Sequence, residues 1–198
     1  MSEYAGELIM REKKGILIVV SGFSGAGKGT LMKKLMQDYD NYALSISATT
    51  RQPRVGEEDG REYFFITKEE FEKMIARDEL IEYARYVENY YGTPKQYVME
   101  QLEAGKDVIL EIEIQGALKV KEKYPDTLLM FVTPPSAQVL KDRLVGRGTD
   151  APEVIESRIA KAEFELSFAD KFDVVIVNDE LEKAEAETLK IIQDFIAK

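Results

Sequence analysis

An apolar run followed at once by a glycine-rich loop restricts the possible folds of this chain more than any other feature. Residues 16–20 read ILIVV and residues 21–30 read SGFSGAGKGT, with a helical pattern continuing from Thr30. A buried strand, a loop with Gly22, Gly27 and Lys28 at this spacing, and a helix are the parts of a P-loop. The N–H groups of such a loop point at phosphate oxygens, whereas the alternative is a glycine-rich turn with a solvated lysine. The predicted phosphate site comprises Gly22, Phe23, Ser24, Gly25, Ala26, Gly27, Lys28, Gly29 and Thr30.

One position departs from the usual motif. Gly29 follows the lysine, where a Ser or Thr normally holds Mg²⁺. Thr30 comes next and contributes at most one bond to the metal, directly or through water. We therefore expect Mg²⁺ to be held mainly by the phosphates of a bound nucleotide and by water.

Composition excludes several classes of function. The 198 residues carry a formal net charge of −10, so we expect no broad attraction to nucleic acid or to an anionic membrane. The chain has no His and no Cys, which excludes imidazole bases, thiolate metal sites and disulfides. The first apolar stretch lacks a cleavage pattern and no run approaches the length of a membrane span, so we expect a cytoplasmic protein.

Apolar runs of strand length alternate with segments of helical period along most of the chain. This order predicts an α/β fold, with a central parallel sheet flanked by helices on both faces. Residues 51–97 and 146–151 interrupt the alternation and are expected to lie over a ligand, while residues 1–14 match no element. Strands are predicted at 16–20, 42–47, 107–114, 127–132 and 173–178, and helices at 28–39, 95–104, 116–123, 136–145, 152–168 and 180–197.

A second candidate anion site follows in residues 47–65, SATTRQPRVGEEDGREYFF. Arg51 and Arg54 offer forked guanidinium groups to phosphate oxygens, and Tyr63 adds a neutral donor. The alternative is that both arginines pair with the acidic residues 57–59 at the surface.

Two carboxylates stand at the end of the predicted strand 107–114. Glu111 and Glu113 are two residues apart, so on a strand they would project from the same face. Ligands bind at the carboxyl ends of parallel strands, and a carboxylate there needs a cation or a base amine.

A third cluster consists of Arg143, Arg147 and Arg158. Gly146 and Gly148 supply a pliant corner, and we expect Asp150 to cap the next helix with Pro152 in its first turn and Glu153 completing a capping box. Salt-bridged surface arginines are the alternative. Asn178 and Asp179 end the last predicted strand, either as ordinary turn residues or bordering a nucleotide base.

The segments SGFSGAGKGT, SATTRQPRVGE, NYYGTP, RLVGRGT and VIVND, in this order, resemble those of the guanylate kinase family from about residue 15 onward. The resemblance implies Mg²⁺-dependent phosphoryl transfer from ATP to GMP, and to dGMP, in purine metabolism. It also implies a core at 15–50 and 98–198, a GMP-binding domain at 51–97 and a lid near 143–158. The partners would be ATP and GMP, and the protein a monomer or weak homo-oligomer.

The resemblance also implies roles for individual residues. The GMP phosphate would bind Arg51, Arg54, Tyr63 and Tyr91, beside Gly92. Guanine would lie among Ser47, Glu82, Thr93 and Glu113. The ATP phosphates would bind the P-loop and the arginines at 143, 147 and 158, and the adenine would lie beside Asn178 and Asp179. Glu111 and Thr30 would be ligands of the metal. The catalytic residues would be Lys28, Arg51, Arg143, Arg147 and Arg158.

Guanine's chemistry suits these implied roles. Its pairing edge offers N1–H and an amino group as donors, which carboxylates accept, whereas adenine presents the opposite pattern. Glu82 alone could equally be a solvent-facing strand residue. The family usually has Asp at both 111 and 113, so the longer Glu side chains leave their geometry open.

Three other functions compete with this interpretation. A phosphopeptide-binding scaffold module is disfavoured by the intact Gly27–Lys28 loop and the lid arginines. A sugar-phosphate kinase would lack base-reading carboxylates such as Glu82. A P-loop NTPase that moves a partner is disfavoured by the short chain and the second anion cluster.

Overall fold

A computed structural model describes residues 14–86, 88–146, 148 and 151–198. Its central sheet has five parallel strands in the order β2-β7-β1-β8-β9. These strands are β1 Leu17–Ser21, β2 Tyr42–Leu44, β7 Asp107–Glu111, β8 Leu128–Thr133 and β9 Val174–Val177. They are the five strands predicted from the apolar runs, and the parallel arrangement is confirmed.

Helices cover this sheet and connect its strands. The helices are α1 Lys28–Asp38, α3 Lys95–Glu103, α4 Ile114–Lys123, α5 Ala137–Gly146, α6 Pro152–Leu166 and α7 Leu181–Ile196, with a 3₁₀ turn at Ala169–Lys171. Each begins and ends within two residues of its predicted bounds. The chain passes from central β1 to the edge strand β2, returns to β7, and then crosses over β1 to reach β8. The carboxyl end of β1 therefore faces the crevice at which open α/β sheets bind ligands.

A second sheet of four strands lies between residues 48 and 94, in the order β4-β3-β6-β5. Its elements are β3 Ala48–Thr49, β4 Phe64–Phe65, α2 Lys68–Ala76, β5 Leu80–Tyr86 and β6 Asn89–Pro94. It has its own small core, in which the buried Phe71 ring stacks on Tyr90 at a centroid distance of 5.1 Å. The Thr67 and Glu70 side chains form a capping box that fixes the start of α2.

Two predicted strands are too long. β2 ends at Leu44 because the chain then leaves β7 to form β3 in the second sheet. β7 ends at Glu111 because its neighbour β1 ends at Ser21, where the loop begins. The Ser21 hydroxyl donates to the Ile112 carbonyl at 2.8 Å, and α4 begins two residues later.

The prediction that Glu111 and Glu113 share one face of a strand is therefore wrong. Glu111 ends β7, whereas Glu113 is the N-cap residue of α4. The predicted cap of α6 also fails, because its N-cap is Ala151 without a side-chain bond, although Pro152 does occupy the first turn. Asp150 itself lies outside the described residues. Among the helices that the structure describes, none combines the length and apolarity needed to cross a bilayer.

Candidate active site

The glycine-rich loop leaves β1 and ends at the start of α1. Gly22 and Gly27 have φ values of 132° and 88°, which favour glycine. A side chain at Gly22 would overlap the Val132 carbonyl, and one at Gly27 would overlap the Asn178 amide. Gly27 gives α1 no side-chain cap, so the first N–H groups of the helix remain directed out of its amino end. The loop is thus built as an anion site.

Lys28 lies across this loop. Its Nζ donates to the Gly22 carbonyl at 2.6 Å and to the Phe23 carbonyl at 3.3 Å. The ammonium group is therefore held against the backbone of the loop at Gly22 and Phe23.

Two of the three predicted lid arginines contact the loop. Arg143 donates through Nη1 to the Ala26 carbonyl at 3.4 Å and through Nη2 to the Asn178 carbonyl at 2.8 Å. Arg158 donates to the Ser24 hydroxyl at 2.6 Å. The helices α5 and α6 thus bring positive charge to the glycine-rich loop, while Arg147 lies outside the described residues.

Asn178 and Asp179 follow β9 but have different surroundings. The Asn178 side chain is buried and donates to the Ala26 carbonyl at 3.0 Å. Asp179 is exposed. The Asn178 side chain therefore stabilises the loop through its hydrogen bond to Ala26. The Asn-Asp sequence did not predict this contact.

The two carboxylates at the end of β7 face different neighbours. A Cβ on Gly29 would lie 3.7 Å from Oε2 of Glu111, so this carboxylate is directed toward the first turn of α1, which carries Thr30. Glu113 lies 3.4 Å from the ammonium group of Lys161 on α6. Glu111 is therefore the carboxylate that faces the start of α1, next to the glycine-rich loop.

Arg51 forms a two-pronged ion pair with Glu57, in which both N–O distances are 3.0 Å. Glu57 also accepts from the backbone N–H of Arg54 at 2.7 Å. Glu57 raises the pKa of Arg51, and Arg51 holds the pKa of Glu57 below its usual range. The alternative of pairing with nearby acidic residues is thus realised at Arg51, whereas the Arg54 side chain is exposed.

Two tyrosines complete this cluster. The Tyr63 and Tyr91 rings meet edge to face at a centroid distance of 6.0 Å, and the Arg51 guanidinium lies 5.4 Å from the centre of the Tyr63 ring. Burial raises the pKa of Tyr63 and the neighbouring Tyr91 adds to this rise, whereas the Arg51 guanidinium opposes it.

Glu82 is a buried carboxylate on β5. Its side chain is 9% exposed, and its Oε1 accepts a hydrogen bond from the fully buried Thr93 hydroxyl at 2.9 Å. Burial raises the pKa of Glu82. The alternative of a solvent-facing strand residue is therefore wrong. Gly92 lies on β6 opposite Tyr83 of β5, where a Cβ would come within 2.9 Å of the Glu82 carbonyl and of the Phe71 ring.

Ser47 lies in the connection between β2 and β3, at the entrance to the second sheet. It is half-buried, and its carbonyl accepts from the Phe64 N–H at 2.9 Å. The predicted acceptor residues at 47, 51, 63, 82, 91, 92 and 93 thus all lie on or beside the second sheet.

Sequence reasoning missed two side chains of this region. The sequence suggests Glu57 only as a surface partner of the arginines, although it fixes both Arg51 and the backbone at Arg54. The second side chain is that of Lys161, which pairs with Glu113. Its position three residues after Arg158 on one helix was the available signal, because residues at that spacing share a face.

The parallel sheet, the loop at the end of β1 and the helices on both faces define a P-loop kinase fold. Residues 14–197 match the guanylate kinase family model, and the chain belongs to the guanylate kinase family. Members of this family transfer a phosphoryl group from ATP to GMP.

Individual relatives agree with this assignment. The chain is 53% identical to a guanylate kinase of Lactococcus lactis over 93% of its own length and 89% of the relative. It is also 53% identical to one from Halalkalibacterium halodurans, over 88% and 86% of the two chains. The crystal structure of guanylate kinase from Anaplasma phagocytophilum superposes with a TM-score of 0.74 at 31% identity, covering 92% of this chain and 86% of the other.

Proposed function

We propose that this chain phosphorylates GMP and dGMP with ATP, using the loop at 22–30 for the donor and the second sheet for the acceptor. The observation that carries the proposal is the buried Glu82 carboxylate, fixed by Thr93 on a sheet separate from the P-loop. An ionised carboxylate is costly to bury unless hydrogen-bond donors meet it. Guanine N1–H and its amino group are such donors.

The acceptor phosphate is assigned to Arg51, Arg54, Tyr63 and Tyr91. Arg51 and the two rings already form one contact group, and guanidinium pairs with phosphate are bidentate and strong. The base is assigned to Ser47, Glu82, Thr93 and Glu113. We assign residues 51–97 as the GMP-binding domain.

The donor phosphates are assigned to the loop N–H groups, Lys28 and the arginines at 143, 147 and 158, with Asp179 and Asn178 toward the adenine. We assign residues 143–158 as the lid.

A phosphate oxygen of GMP is already nucleophilic, so no protein base is required. The residues then act by aligning two polyanions and by compensating the charge that develops on the transferred group.

Magnesium fits the residues on the donor side. Carboxylate and hydroxyl oxygens are ligands that Mg²⁺ prefers, and Glu111 faces the first turn of α1, which also carries Thr30. When bound with ATP, the ion neutralises charge on the β- and γ-phosphates. Most of its ligands would be ATP oxygens and water, with Thr30 and Glu111 completing the set.

A coupled assay of ADP release tests the proposal, with ATP and each of GMP, dGMP, AMP, UMP and ribose bisphosphates. We expect turnover with GMP and dGMP only. Turnover with a ribose bisphosphate alone would indicate a sugar-phosphate kinase, and no turnover at all would indicate a binding module. Sedimentation of the same sample tests the expected monomer or weak homo-oligomer.

Single substitutions separate the two halves of the site. Lys28→Ala should abolish transfer while the chain remains folded. Arg51→Ala should raise the KM for GMP about 10- to 100-fold, as expected for a lost charged hydrogen bond, and leave the KM for ATP unchanged. Arg61→Ala is the matched control, because Arg61 lies in the same segment but pairs with Glu58 and Glu62 at the surface. Unchanged GMP kinetics in Arg51→Ala would show that the acceptor site is misplaced.

A further inference from the structure

Gly116 lies in the first turn of α4 and is buried. Its backbone is helical and its φ is not positive, so the local conformation does not require glycine. Other residues favour helix more than glycine does, by up to about 1 kcal/mol relative to Ala. The reason for a glycine at this position must therefore lie in what surrounds it.

The space beside Gly116 is occupied by the Glu82 carboxylate. A Cβ on Gly116 would lie 2.9 Å from Oε2 of Glu82 and 3.3 Å from Cδ1 of Ile112. Both distances are shorter than an ordinary van der Waals contact of about 3.5 Å. On its other side the carboxylate is bonded to Thr93 at 2.9 Å. The carboxylate thus fits between the Thr93 hydroxyl and the bare backbone of α4.

The helix cannot easily move away from this contact. Lys119, one turn further along α4, lies 3.5 Å from the Tyr83 carbonyl, and Lys123 pairs with Asp78 at 3.0 Å. Positions 116, 119 and 123 have the i, i+3, i+7 spacing of one helix face. Since Ala117 and Val120 of α4 are buried in the core, whereas the Glu82 carboxylate is the end of a flexible side chain, a methyl group at 116 would displace the carboxylate instead of the helix.

We propose that Gly116 is a positioning residue for purine selection. Because Gly116 has no side chain, the Glu82 carboxylate can pack directly against the backbone of α4, and this contact orients the carboxylate toward the acceptor base. This inference rests on the proposed role of Glu82 in reading guanine. A shift of about 1 Å in a positioned group can cost on the order of 100-fold in rate. A displaced carboxylate would also repel adenine less effectively, since rejection depends on the mismatch at that atom.

The test is Gly116→Ala, with kcat and KM measured for GMP, AMP and ATP, and with Glu122→Ala on the exposed side of α4 as control. We expect kcat/KM for GMP to fall at least about 10-fold and the GMP/AMP ratio to fall with it, while the KM for ATP is unchanged. A folded Gly116→Ala with wild-type GMP kinetics and discrimination would overturn the inference, as would an equal loss for ATP and GMP.

Shortening the facing side chain gives an independent measurement. Glu82→Asp should lower kcat/KM for GMP in the wild-type background but recover part of it in Gly116→Ala, so the two changes should not be additive. Additive effects would overturn the inference. If Gly116→Ala does not fold, the double variant should fold, and its failure would show that the clash is not with Glu82.

The proposed function is tested separately in the same experiment. Absence of GMP turnover by the wild-type chain would overturn the proposed function and this inference with it. The inference alone would be overturned if the wild-type chain turned over GMP normally and Glu82→Gln altered purine choice, but Gly116→Ala left purine choice unchanged.

Discussion

Replacing Thr93 by Val tests the buried hydrogen bond to Glu82 on which the proposed acceptor site depends. The two side chains have nearly the same shape, so the substitution removes the hydroxyl donated to Glu82 at 2.9 Å and little else. Hydrogen bonds to charged groups contribute about 1.5–3 kcal/mol, and the carboxylate oxygen would stay buried without this donor. We expect a loss of about 2 kcal/mol at neutral pH, or roughly 4–8 °C in Tm for a chain of this size.

The loss should depend on pH in a defined direction. Burial raises the pKa of Glu82, so the stability that this group contributes is highest below its unfolded value and falls as pH rises through its folded pKa. The Thr93 hydroxyl opposes that rise, and removing it raises the pKa further. The difference between wild type and Thr93→Val should therefore be small near pH 4 and grow toward pH 8.

Thr188→Val is the matched control. The Thr188 hydroxyl is equally buried but donates to a neutral acceptor, the Ala184 carbonyl, at 2.7 Å. Its removal should cost about 1 kcal/mol or less at every pH. Urea unfolding followed by circular dichroism from pH 4 to pH 8 measures both variants. A Thr93→Val loss no larger than that of Thr188→Val, and constant with pH, would refute the reasoning.

Two further predictions concern the loops. Lys95 and then Lys123 lower the pKa of Asp78 to about 2. The stability that the Asp78 carboxylate contributes should therefore be present above the usual pKa of an Asp and be lost as pH falls toward 2. In urea unfolding, Asp78→Asn should show a small, salt-sensitive loss of stability at pH 6 that shrinks at pH 3, and an equal loss at both pH values would contradict the pairing. Gly27→Ala should lose about 2–3 kcal/mol, because φ becomes strained and Asn178 is pushed off the loop. An unchanged urea midpoint and ATP KM would contradict it.

The core could be predicted because its central strands β1, β7 and β8 are buried along most of their length, and the edge strand β9 is also apolar although Val175 and Val177 are exposed. Such strands are continuous apolar runs, as in residues 128–132, and all five were identified with a parallel arrangement. The second sheet could not be divided into elements in the same way. β3 and β4 have only two residues each, and Phe64 is exposed, so neither gives a periodic signal.

The candidate site was predictable where one segment carries it. The loop at 22–28 has its spacing in the sequence itself, whereas the end of β7 depends on where β1 ends. In the sequence, apolar Ile112 and Ile114 alternate with glutamates, which favours a longer β7. The strand stops at Glu111 because the neighbouring β1 ends at Ser21 and offers no further pairing partner. The pairing of Lys161 with Glu113 likewise joins segments far apart in the chain.

The bidentate pair of Arg51 with Glu57 has a consequence for substrate choice. A strong cation whose arms are already occupied has no net attraction for a neutral molecule. An incoming group must offer more negative charge than the carboxylate it replaces, and a phosphate dianion does so. If Arg51 binds the acceptor phosphate as proposed, a nucleoside without its phosphate would leave the Arg51–Glu57 pair intact, and Glu57 would thereby disfavour unphosphorylated purines.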